Sequence, residues 1–232
     1  LYRVLQRGKK GYLVTCLRTG DQTKRCVILD DGAVQGDFPH PTSWLEKIKK
    51  EALGARAAIL CAIEDQRFFI EPIFATGTVY LFGAGHVSQQ VANLASLTHF
   101  RTVVLDDRAE FANHERFPAA EDVRVPDTFD GVFKELDIDD DSFIVILTRG
   151  HRHDRTVLEQ ALRTKAGYIG MIGSKGKRDA VYRALLEGGF TRTDLERVHS
   201  PIGLKIGGDT PEEIAVSIVA ELIQERSAHN RL

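Results

Sequence analysis

Methionine and tryptophan each occur once in this 232-residue sequence, and cysteine only three times. Cys16, Cys26 and Cys61 form an odd set without tight spacing. A disulfide framework needs pairs and a structural zinc site needs four ligands, so free thiols in a reducing compartment are expected, with no metal site. No apolar run approaches the roughly 20 residues that cross a bilayer, so no membrane association is expected. Charge of one sign is also missing. Against 33 Asp and Glu stand 31 Lys and Arg, for a formal net charge of -2. A nucleic-acid footprint usually shows as a basic excess, so no nucleic-acid partner is expected. The one methionine is Met171, and the chain is expected to begin after trimming. Leu1-Tyr2-Arg3-Val4 is not followed by the continuous apolar segment of a secretion signal, which leaves a cytoplasmic protein as the expectation.

What is present is an ordinary globular composition, 43% hydrophobic and 28% charged, at a length between one domain and two. Gly11–Leu17 and Cys26–Leu29 read as strands, followed by an Asp30-Asp31-Gly32 turn. Ser43 suits the cap of a short helix carrying Trp44, Leu45 and Ile48. Ala57–Cys61 and Phe68–Ile70 read as a further strand pair, with Glu71-Pro72 and Thr76-Gly77 as punctuation. Residues 1–76 are therefore expected to form a small α+β domain with a mostly antiparallel sheet. From 77 to 232 the rhythm changes to buried strands alternating with helices. The strands are Val79–Phe82, Thr102–Leu105, Val123–Val125, Phe143–Leu147 and Tyr168–Ile172. Helices are expected after Gly85, over 154–165, near Ser174 and from Thr210. The last start is a capping box, with Pro211 in first position and Glu213 closing it. Continuous apolar strands with intervening helices predict an α/β, Rossmann-like wound parallel sheet.

Three constellations carry chemistry. Gly83-Ala84-Gly85-His86-Val87-Ser88 lies between a strand and a helix, the context a dinucleotide turn requires. Gly83 permits the turn, Gly85 lets backbone approach a phosphate, and Ser88 replaces the usual third glycine with another small residue. Asp106, ending the next strand, stands where an acid meets a ribose hydroxyl. The turn is either a phosphate site or a plain feature of the wound sheet. His86 is either a helix-terminal polar residue or a neutral ligand contact. The second constellation, Thr148 to Asp154, sets Arg149, His151 and Arg152 on a loop at the same sheet edge, with Asp154 as a helix cap. The arginines suit phosphate or carboxylate. The third, Gly173-Ser174-Lys175-Gly176-Lys177-Arg178, makes a helix start basic, which opposes the macrodipole and invites an anion. A glycine-rich loop from His199 to Thr210 either covers a ligand or connects two elements. No nucleophile can be assigned, so no catalytic residue is expected.

Together these motifs resemble the XdhC/CoxI family. The resemblance rests on Gly83-Ala84-Gly85-His86-Val87, Asp106-Asp107-Arg108 with Phe111-Ala112-Asn113 and Arg116-Phe117-Pro118, and Tyr168 to Lys175. It rests also on His199-Ser200-Pro201-Ile202-Gly203-Leu204 and Thr210-Pro211-Glu212-Glu213-Ile214, and runs in order from about Phe69 to Glu225. It implies a maturation factor for molybdenum hydroxylases such as xanthine dehydrogenase and aldehyde oxidoreductase, not itself the enzyme. Such a factor binds the molybdenum cofactor, a phosphate-bearing pterin with a dinucleotide form, and delivers it to an apo molybdenum hydroxylase. A cysteine desulfurase as further partner and a homodimer are left open by the resemblance. The front piece lacks the Ser-x-Pro-Arg segment and Gly-Gly-Gly run of longer family members. On the residues and the resemblance together, the cofactor-binding set is Gly83, Gly85, His86, Ser88, Asp106, Arg149, His151, Gly173, Ser174 and Lys175. A nicotinamide oxidoreductase binding NAD(P) through the same turn is the alternative.

Overall fold

A computed structural model describes residues 11–17, 24–29, 32–38, 41–52, 55, 57–73 and 77–229. Asp30 and Asp31 of the expected turn lie outside the described residues. The chain divides into two compact units, the second running from Gly77 to Ser227.

The first unit is an antiparallel sheet of five strands in the order β3-β2-β1-β5-β4. These are β1 (Gly11–Leu17), β2 (Lys24–Leu29), β3 (Val34–Gly36), β4 (Ile59–Ile63) and β5 (Gln66–Ile73). Phe68 and Ile70 are fully buried while Phe69 between them is exposed, the period of two expected of a strand with one covered face. Helix α1 (Ser43–Ala52) covers that face through Trp44, Ile48 and Ala52. Trp44 meets Phe68 edge-on at 5.9 Å. Ser43 is the helix's own first residue rather than its cap. Pro72 does not end the strand as its type suggested: it lies inside β5, opposite Tyr12 of β1. Pairing with β4 stops at Ile70, so the proline removes no donor from that side of the ladder. The three cysteines are free thiols, and burial pushes Cys26 up to about 11.

The second unit holds six parallel strands in the order β11-β10-β9-β6-β7-β8. They are β6 (Thr78–Phe82), β7 (Arg101–Leu105), β8 (Asp122–Arg124), β9 (Ser142–Ile146), β10 (Tyr168–Met171) and β11 (Val198–His199). Alternate residues face opposite sides. Val79, Leu81, Val104 and Val145 pack under α2 (His86–Leu97) and α6 (Pro211–His229). Phe82, Leu105, Ile144 and Ile146 pack under α3 (His151–Ala161), α4 (Lys175–Glu187) and α5 (Arg192–Glu196). This is an α/β, Rossmann-like sheet with both faces covered, and the expected capping box of α6 forms between Thr210 and Glu213. Helix α3 begins three residues earlier than expected, at His151, and Gly150 rather than Asp154 is its N-cap. Among the described residues no helix is long and apolar enough to cross a membrane.

Candidate functional site

Strands β6 and β9 are neighbours, yet the chain leaves β6 towards α2 on one face and β9 towards α3 on the other. Wound sheets bind ligands at such a switch point, beyond the carboxyl ends of the strands. Gly83 makes the turn out of β6 with φ +107, and a Cβ there would lie 2.4 Å from the Leu147 carbonyl oxygen. Only glycine fits both the conformation and the approach. Gly85 is the N-cap of α2; no side chain caps the helix and no acid stands in its first turn. A Cβ on Gly85 would meet nothing within 4 Å. The first amides of α2 therefore keep their unpaired N–H groups and positive potential facing open space. Ser88 is fully buried, and its hydroxyl donates to the Gly83 carbonyl at 2.5 Å, which clamps helix to turn. His86, the first residue of α2, is exposed.

Asp106 follows β7 and is only 3% exposed. Its Oδ2 accepts from the Ala84 amide at 2.8 Å and from Arg108 Nη2 at 3.0 Å. Its Oδ1 accepts from the Arg108 amide at 3.1 Å and from Arg108 Nε at 2.8 Å. Burial works to raise its pKa, but the Arg108 bonds and the Ala84 amide outweigh it and hold the carboxyl below its ordinary range. The Arg108 guanidinium lies 3.8 Å over the Phe111 ring, with Arg116 at 5.2 Å from the same ring. Arg116 donates to Gln89 Oε1 at 3.0 Å, and its buried Nε has no partner. Asp107 pairs with Arg149 at 3.4 Å, linking the ends of β7 and β9 across β6. The Arg149 side chain is 57% exposed.

From His151 onward the second constellation is helix α3, while Thr148, Arg149 and Gly150 lie in the connection before it. Asp154 is fully buried, accepts from the Thr148 hydroxyl at 2.6 Å and forms an ion pair with Lys177. It ties β9, α3 and α4 together instead of capping. His153 lies edge-on to Phe129 at 5.6 Å. His151 opens α3, and its side chain lies outside what is described.

At α4 the basic start is answered by the protein itself. Ser174 caps the helix, accepting from the Lys177 amide at 3.4 Å. Lys177 turns to Asp154 and Arg178 to Asp179. A Cβ on Gly173 would stand 2.8 Å from Lys177 Cδ, so that glycine makes room for a lysine. Lys175 is exposed at the first position.

The loop after β11 is anchored on α6 at Gly203 and Leu204. Gly203 donates to Glu221 at 2.7 Å, Leu204 donates to the Ser217 carbonyl at 3.2 Å, and the Ser217 hydroxyl donates to the Leu204 carbonyl at 2.5 Å. Glu221 also accepts from Tyr168 at 2.5 Å and meets His199 Nδ1 at 3.2 Å. The hydrogen bond to Glu221 raises the His199 pKa. Burial works to raise that of Glu221, but His199, Tyr168 and Gly203 together hold it below its ordinary range.

Gly83, Gly85, His86, Ser88, Asp106 and Arg149 thus gather at the ends of β6, β7 and β9. Gly173, Ser174 and Lys175 follow β10, two strands from β6, or about 9–10 Å along the sheet. Sequence reasoning did not assign Asp107, Arg108, Phe111 or Arg116 to the site; the Asp106-Asp107-Arg108 run was the available signal.

Strand order and the glycine turn define a Rossmann-type domain. Residues 79–222 match the family model described as the XdhC Rossmann domain. The chain belongs to the XdhC family. It is 34% identical over 163 residues to a probable xanthine dehydrogenase subunit of Bacillus subtilis (strain 168), covering 70% of this chain and 47% of that protein. It is 23% identical over 146 residues to the molybdenum cofactor insertion chaperone PaoD of Escherichia coli (strain K12), covering 63% of this chain and 39% of that one. A solved structure, a xanthine dehydrogenase from Bacillus halodurans, superposes with a TM-score of 0.77 at 29% identity, covering 98% of this chain and 62% of that one. The chain spans less than half the length of these two curated relatives.

Proposed function

We propose that the protein binds the molybdenum cofactor and delivers it to an apo molybdenum hydroxylase of the xanthine dehydrogenase or aldehyde oxidoreductase type. It acts as a cytoplasmic accessory factor and not as the hydroxylase. The observation that carries this reading is the uncapped start of α2 at the switch point, where Gly85 leaves the first amides open. An anionic phosphate is the group such a start takes best, and the cargo carries one. The amides at Gly85 and His86 would hold that phosphate, with Gly83 and Ser88 keeping the turn in shape and Asp106 bracing it. Arg149 and His151, from the β9 side, and Gly173, Ser174 and Lys175, from the β10 side, would border the rest of the cargo. The names of the Bacillus subtilis and Escherichia coli relatives support the same reading. A carrier must release what it holds, and several modest polar contacts suit that better than one very tight site.

Native mass spectrometry after anaerobic mixing with the cofactor tests this. Wild-type protein is expected to retain one cofactor, and Gly85→Val and Arg149→Ala to retain less. Unchanged retention in both variants removes the pocket assignment. The turn also suits a nicotinamide dinucleotide. Micromolar binding of NAD(P) coupled to substrate turnover would replace the carrier reading with an oxidoreductase.

A further inference from the structure

Asp106 occupies the place from which an acid reads a ribose diol in dinucleotide turns, but its carboxylate is already committed. A carboxylate offers about four acceptor sites. The Ala84 amide, the Arg108 amide, Nε and Nη2 fill two on each oxygen. A diol could reach Asp106 only by displacing the Arg108 fork, which breaks charge-assisted bonds in a buried setting.

We propose that the Asp106–Arg108 pair is a specificity determinant: it selects against ligands that offer an unmodified ribose diol and for ligands that carry a second phosphate beside the turn. This rests on the reading of the α2 start as the first phosphate's site. Arg108 is fixed for the task. Phe111 supports its plane, and its side chain is 20% exposed. Among the described residues Nη1 makes no hydrogen bond, so donors remain after Asp106 is served. A single oxygen, Asp106 Oδ2, stands between Nη2 and the Ala84 amide, which puts the guanidinium next to the turn. Arg116 adds a second guanidinium over the same ring, and its buried Nε has no partner. Asp107 pairs with Arg149 at 3.4 Å and stands 3.9 Å from Arg108 Nε. A planar guanidinium fork matches phosphate oxygens. The second phosphate can be a phosphomonoester on a ribose or the outer member of a diphosphate.

Calorimetric titration of the wild-type protein with four probes tests the proposal. They are adenosine 5'-monophosphate, its 2'-deoxy form, adenosine 2',5'-bisphosphate and adenosine 5'-diphosphate. A doubly phosphorylated probe is expected to bind roughly tenfold tighter than the monophosphate, the worth of one charged hydrogen-bonding group. Whichever of the two binds tighter identifies the source of the second phosphate. The 2'-deoxy form is expected to match the monophosphate, because no group reads the diol. In Arg108→Ala the gain from the second phosphate is expected to vanish while monophosphate binding persists, a pattern that mere loss of structure does not give. Arg108→Lys, which keeps the charge without the fork, should retain part of the gain. Equal affinity for all probes, or weaker binding of the 2'-deoxy form, overturns the proposal and leaves the phosphate site standing. Failure of every probe to bind overturns both.

Discussion

Helices α2 and α4 both begin after a buried parallel strand and a glycine with positive φ, yet they finish as chemical opposites. At α2 the cap is Gly85, no side chain bonds the first amides, and the space beside the glycine is empty. At α4 the cap is Ser174, and Lys177 folds back over Gly173 to a fully buried Asp154. A glycine before a helix is therefore not in itself an anion site. What decides is whether the chain fills the space that the missing side chain leaves. At α4 it does so with its own lysine; at α2 it leaves the helix dipole uncompensated.

The strongest way to break this contrast is Asp154→Ala. It strips Lys177 of its carboxylate and the Thr148 hydroxyl of its acceptor. Removing one partner of a buried pair costs roughly 3–5 kcal/mol. Urea unfolding should show that loss, while phosphate binding at α2 under native conditions stays as in the wild type. Gly85→Val comes next. The position has ordinary φ and free space, so the fold is expected to lose only about 1 kcal/mol. Phosphate affinity is expected to fall by roughly tenfold or more, because the side chain stands over the amides. Calorimetry on the folded variant reads the two effects apart.

An exchange of caps sharpens the comparison further. Gly85→Ser is expected to add a few tenths of a kcal/mol of stability and to weaken anion binding, since the new hydroxyl takes one of the orphan amides. Ser174→Ala is expected to cost about 1 kcal/mol and to leave the binding of inorganic phosphate at α2 unchanged. Thermal melts with and without phosphate check both. If the two substitutions affect binding alike, α2 and α4 are not the opposites described.

The smallest effect concerns the braced end of the sheet at β11. Glu221 holds the His199 imidazolium, raising its pKa above the ordinary 6.5. The stability this pair supplies is complete below pH 6.5 and is lost as the pH rises through the folded-state value. Glu221 is held below its ordinary 4.5, so its share is present above that pH and is lost as the pH falls. Stability should therefore decline on both sides of a window between about pH 4.5 and 6.5. His199→Gln is expected to flatten the alkaline decline. A denaturation midpoint series against pH reads this, and an unchanged slope would count against the pair.

The wound sheet was legible because its strands β6, β7, β9 and β10 are continuous apolar runs, and because α6 begins with a capping box. The glycine turn was legible from spacing alone. Asp154 was misread because aspartate is a good cap and its true partner, Lys177, lies far along the chain, where no local pattern points. Pro72 reads as a breaker until the strand beside it is known to have ended. Strand β11 has two residues, too few for any periodicity. The committed state of Asp106 was hidden for the same reason as Asp154: it depends on how Arg108 lies over Phe111, which only the folded turn determines.

The most direct test of the open α2 start is anaerobic native mass spectrometry of the wild type, Gly85→Val and Ser174→Ala after exposure to molybdenum cofactor. One cofactor retained by the wild type, somewhat less by Ser174→Ala, which loses only a contact to the rest of the cargo, and little by a folded Gly85→Val, is the expected result. Equal retention by all three would contradict it.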